Sequence, residues 1–129
     1  SFIDIPGLQE VQEAKIAPEG AYEMMIEQAT HIPERSLIRV ILAIMHDGDE
    51  NYSSVFHNIA LPKQDDDEGK RKTKMLFAKR FVVQFGIDTG ENGFNIEAFS
   101  GQTASCNVGQ TVYEGTRRNE LKLDSLARE

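Results

Sequence analysis

The ten residues LIRVILAIMH, Leu37 to His46, constrain the fold more than any other stretch of this chain. Branched side chains such as these lose rotamer freedom in a helix but pack well on a pleated surface. Ile38, Val40, Leu42 and Ile44 share one parity, while Leu37, Arg39, Ile41, Ala43 and Met45 share the other. A period of two therefore gives a long strand with one wholly apolar face and one mixed face. Such a strand needs partners along both edges and a layer over its apolar side.

The flanking sequence supplies them. From Gly20 the segment AYEMMIEQATHI sets Tyr22, Met24 and Ile26 on one parity, a half-buried first strand that Pro33 ends. DGDEN, Asp47 to Asn51, has the small polar residues of a hairpin connection, and YSSVFHNIALP follows as a third strand. In it Val55, His57, Ile59 and Leu61 alternate with Ser54, Phe56, Asn58 and Ala60. Past Pro62, the acids Asp65 to Glu68 suit the positive end of a helix, which the pattern starts near Asp67 and ends at Gly86. At about 100° per residue, Met75, Phe77, Ala78, Phe81, Val82 and Phe85 form one stripe, with Lys72, Lys79 and Arg80 outside it. FNIEAF is too short to assign, one helical turn before Gly101 being one option, and TASCNVGQTVYEGTRRNELKL reads as a closing hairpin turned at Glu114 and Gly115.

A chain of 129 residues with 40% hydrophobic content supports one core and one domain. Residues 1–19 read as an extended arm and residues 20–129 as the domain itself. The single cysteine, Cys106, rules out an internal disulfide, a zinc ribbon and a CxxC redox motif. No apolar run approaches a bilayer span and no secretory leader is recognisable, so a cytoplasmic protein without membrane contact is expected. The net charge of −7 opposes nucleic-acid binding at first sight. Its distribution reverses the argument locally: Gly69 to Ile87 contains no acid but holds Lys70, Arg71, Lys72, Lys74, Lys79 and Arg80.

Three strands, a helix and two strands make a mainly β domain that can close as a five-stranded OB-type barrel, in the order β1-β2-β3-α-β4-β5. A small β-sandwich with one inserted helix is the competing fold. Gly20-Ala21-Tyr22 opening the first strand, the helix ending at Gly86, Gly101-Gln102-Thr103-Ala104 entering the fourth strand, and Tyr113 to Asn119 turning into the fifth form a pattern. It resembles a family of small phage proteins related to single-stranded DNA-binding proteins, over Gly20 to Leu123. The resemblance implies the OB fold and sequence-independent binding of single-stranded DNA, or RNA, during phage replication or recombination. In such proteins an acidic tail often recruits partners, whereas this sequence closes on Leu126, Ala127, Arg128 and Glu129.

Single-strand binding requires cations to follow phosphates and flat side chains on which bases stack. Phe56 falls on the polar parity of the third strand with Ser54 and Asn58; it is either a stacking platform or satellite core beneath the arm or helix. Tyr113 with Arg117 and Arg118 would arm the last hairpin tip, unless Tyr113 merely covers the barrel mouth. Arg39 projects from the mixed face of the second strand. Lys79 and Arg80 could guide phosphates, although a charged helix face is ordinarily just solvated.

His31, His46 and His57 lie on separate strands without ligand spacing, so no metal or other cofactor is expected. Asp47, Asp49 and Asn51 match the start of a calcium loop, but Tyr52 replaces the required glycine and Asn58 the bidentate acid. No nucleophile elbow, Walker loop or dinucleotide fingerprint is present, and the chain reads as non-catalytic. The rival is a protein-interaction module that docks replication or recombination proteins without touching nucleic acid. An unpaired edge of the first or third strand could also join two copies as a homodimer.

Overall fold

The alternation at Leu37 is realised as β2 (Leu37–Met45), whose Ile38, Val40 and Leu42 are buried. The computed structural model describes residues 1–11, 13–45 and 51–127. His46 and Asp47 to Glu50, most of the expected hairpin connection, lie outside the described residues, as do Arg128 and Glu129. The other elements are β1 (Gly20–Ile32), β3 (Val55–Ala60), α1 (Glu68–Gln84), a two-residue pair β4 (Thr89–Gly90) and β5 (Gly93–Phe94), β6 (Thr103–Tyr113) and β7 (Thr116–Lys122). β4 and β5 pair only with each other; the rest form one antiparallel sheet in the order β3-β2-β1-β6-β7.

β1 is long enough to serve two neighbours because it is bulged. Met24 and Ile26 face inward opposite Ile44 and Leu42, but the register shifts between Ile26 and Gln28, and Ala29 then lies opposite Val40 on the core side. A bulge sharpens local twist, and the outermost strands, β3 and β7, come within 8 Å of each other between Cα atoms. No backbone ladder joins them. The expected five-stranded OB-type barrel with strands in the order β1-β2-β3-α-β4-β5 is thus corrected to a curled open sheet of five strands plus the added β4–β5 pair, seven strands in chain order among the described residues. The seam is occupied at one end by the arm. Lys15 donates its N–H to the Asn51 carbonyl at 2.7 Å and accepts from the Ser53 N–H at 2.9 Å. Two residues on, Ala17 is fully buried and its N–H donates to Asn119 Oδ1 at 2.9 Å. Asn119 Nδ2 returns bonds to the carbonyls of Ala17 at 2.9 Å and Gly109 at 3.1 Å. A buried amide with every group satisfied is a strong clamp, and it ties the base of the arm to β7. β1 sits mid-sheet, so its N-terminal half offers no open edge to a second copy.

α1 covers the curled sheet. Asp67 caps it, accepting from the Lys70 N–H at 2.7 Å. Gly86 ends it at φ +65°, where the Gly86 N–H donates to Val83 and the Ile87 N–H to Val82, the paired bonds of a Schellman stop. Its buried stripe is narrower than the sequence suggests. Phe81, Val82 and Phe85 are buried, but Met75 is 54% and Phe77 48% exposed. The core reaches only the last two turns, and Lys74, not Met75, occupies the inner side of the turn before them, paired with Asp66 at 2.7 Å.

Phe81 is the centre of the core. Its ring stacks on His57 at 5.4 Å, Phe85 at 4.7 Å and Phe99 at 5.8 Å, and Phe94 packs on Phe99 at 5.4 Å. Burial lowers the His57 pKa from 6.5 to about 4. The unfolded chain takes up this proton below pH 6.5 and the folded chain only near pH 4, so His57 costs stability progressively as pH falls through that window. Urea unfolding at pH 7 and pH 4.5 should show His57→Leu losing less stability than the wild type on acidification, by on the order of 2 kcal/mol. Equal losses would show that His57 is not held neutral.

Candidate nucleic-acid interface

The outward parity of β2 and β3 carries Arg39, Ile41, Phe56 and Asn58, because the register sets Arg39 opposite Asn58 and Ile41 opposite Phe56. Arg39 is therefore the diagonal neighbour of Phe56 on one face. Phe56 is 57% exposed, so its ring is neither beneath the arm nor under the helix. On the inner parity of the same strand, Val55 and Ile59 are buried and His57 between them is half-buried.

Next to this face, β3 and α1 leave a cleft of about 290 Å³ lined by His57, Asn58, Ile59, Ala60, Thr73, Lys74 and Phe77. Phe77 forms its far wall, half exposed, with the Arg80 guanidinium over its ring at 5.2 Å. Arg80 Nε is enclosed without an acceptor among the described residues. Of the expected positions, Arg80 thus borders the cleft through Phe77, a residue that helical periodicity assigned to the core, while Phe56 stays on the outer face that meets the cleft at Asn58. The available signal was the flank itself: three of the four helical neighbours of Phe77, Thr73, Lys74 and Arg80, are polar.

The basic island divides by function. Lys74 is spent on Asp66, whose carboxyl is held below its usual range by the Lys63 N–H and by Lys74. Arg71 donates to the Lys63 carbonyl at 3.1 Å, and Lys72 pairs with Glu68 at 3.2 Å. Lys79 points about 100° around the helix from Arg80, away from the cleft.

At the β6–β7 turn, Glu114 and Gly115 both take positive φ, +50° and +79°, as a tight two-residue hairpin requires. Tyr113 and Arg118 share the outer face and stack at 4.4 Å. Arg117 does not join them. It lies on the opposite parity and donates to Gln110 Oε1 at 3.2 Å, while Gln110 Nε2 bonds the Ala17 carbonyl. Consecutive residues of a strand cannot face the same way, so Arg117 supports the arm and Arg118 faces solvent.

Among the described residues no cluster of His, Cys, Asp and Glu could hold a metal ion. Burial pushes the Cys106 thiol up to about 11, with the charge of Asp124 adding to it, which keeps it protonated and unreactive. No helix among the described residues is long and apolar enough to cross a membrane.

Comparison with protein-family models and with curated proteins returns no match. The functional reading therefore rests on the geometry. Because Phe56 and Phe77 are half exposed, Phe56→Ala and Phe77→Ala should each cost less than about 1 kcal/mol in urea unfolding, against about 3–5 kcal/mol for Phe81→Ala. A loss for Phe56→Ala as large as that for Phe81→Ala would return it to the core.

Proposed function

We propose that this chain is a non-catalytic OB-type module that binds single-stranded DNA with little regard to sequence. One observation carries the reading: Phe56 and Arg39 lie on the outer face of β2 and β3, and Asn58 on that same parity borders a cleft lined by a second exposed ring, Phe77, with Arg80 over it. Rings supply stacking that any base satisfies, and the flanking guanidinium groups follow the phosphates. What supports the OB reading is the curl of the sheet, which brings its end strands β3 and β7 close to each other. Tyr113 and Arg118 would extend the path at the last hairpin. Arg117 and Lys79 are left out of it. Action in phage replication or recombination rests on the resemblance of Gly20 to Leu123 alone.

The cation supply is small and limits the electrostatic part. Arg39, Arg80 and Arg118 would neutralise about three phosphates, giving a slope of log affinity against log salt near −2. Fluorescence anisotropy of labelled oligo-dT, its duplex and an RNA counterpart tests this. Single strands should bind in preference to duplex, with that shallow salt slope. Phe56→Ala should weaken binding about tenfold, one lost base stack, at unchanged folding stability. Absence of binding at low salt would sink the proposal and leave a protein-docking module as the alternative; oligo-U bound better than oligo-dT would change the ligand to RNA.

A further inference from the structure

Two unpartnered surfaces of opposite charge lie outside the cleft. The first is the face of α1 turned away from the sheet, where Met75, Leu76 and Val83 are 54%, 40% and 56% exposed. Lys79 lies on this same side of the helix, as does Lys72 with its partner Glu68, and no acid occurs between Gly69 and Ile87. An ordinary surface helix is polar on its outer side; this one is apolar and basic there.

The second surface is the arm. Phe2, Ile3, Ile5, Leu8 and Val11 are all exposed, Phe2 at 93%. The same stretch carries Asp4, Glu10 and Glu13, with no basic side chain before Lys15. From the anchor at Lys15 and Ala17 the preceding residues can span at most about 50 Å, ample to cross to a neighbouring molecule. In the single chain neither surface covers the other, although each is the charge complement of the other and both expose apolar side chains that water disfavours.

We infer that two copies of this chain exchange arms, the acidic, apolar segment Phe2–Val11 of each lying along the Met75–Leu76–Val83 face of the other's α1. The exchange is reciprocal, so it closes as a two-fold dimer and does not propagate. Phe77 lies about 100° around α1 from Leu76, so an arm over Leu76 and Val83 leaves the cleft wall open, with Arg80 at the border between the two surfaces. The dimer would present two clefts at once and does not depend on what they bind.

Sedimentation equilibrium of the full chain over a range of concentrations tests the inference. The wild type should pass from 14.5 kDa to twice that mass. Leu76→Glu on the helix, and separately Ile3→Glu on the arm, should each raise the dimer dissociation constant at least tenfold, as loss of a buried apolar anchor does. Both positions are exposed in the single chain, and unchanged thermal melts would show that folding is intact. Mixing the two variants should restore a heterodimer, because the intact arm of one still meets the intact helix of the other. A wild type that stays monomeric at all concentrations overturns the inference, as do variants that dimerise like the wild type. Arm protection from protease in a monomer would assign the arm to its own helix and likewise overturn it.

Discussion

The Phe81 ring sets the geometry on which every surface feature depends. It is wedged between His57 of β3 and the rings of Phe85 and Phe99, all in stacked or near-stacked contact. These contacts fix how far α1 stands from β3, and that separation is the width of the cleft between Asn58 and Phe77. They also explain why the first turns of the helix escape burial. The aromatic cluster holds the C-terminal half, while the Asp66–Lys74 pair and the Asp67 cap hold the other end in place without covering it.

A second constraint, the Asn119 clamp, acts at the seam of the sheet. β3 and β7 approach without forming a ladder, and open edges invite pairing with other chains. Lys15 to Ala17 fill one end of the gap, bonding residues 51 and 53 on one side and Asn119 on the other. Gln110 and Arg117 extend this network. Arg117 is thereby committed to structure, which leaves Arg118 with Tyr113 on the outer surface.

Legibility followed local rules and stopped where distant parts of the chain meet. Strict alternation in Leu37–Met45 and Val55–Ala60 revealed both strands and placed Phe56 outward, because parity is a property of the strand itself. The Asp67 cap, the Gly86 stop and the Glu114–Gly115 turn were equally readable, each being a backbone requirement met by one residue type. The inward turn of Ala29 was hidden, since nothing in EQAT announces a bulge. The exposure of Met75 and Phe77 was hidden too: periodicity gives a stripe but not how much of it the sheet can cover. The same limit concealed the burial of Ala17, which depends on an amide 102 residues away, whereas the separation of Arg117 from Arg118 follows from strand parity alone.

The central surface is the outer face of Arg39, Phe56 and Asn58, which meets the cleft of Phe77 and Arg80 at Asn58. The most direct measurement is an amide and aromatic NMR titration of the labelled protein with short oligo-dT. Shifts concentrated at Arg39, Phe56, Asn58, Phe77 and Arg80, with Met75, Leu76 and Val83 unmoved, are the expected result. Shifts confined to the outer helix face or scattered over the surface, with Phe56 and Phe77 unaffected, would contradict it.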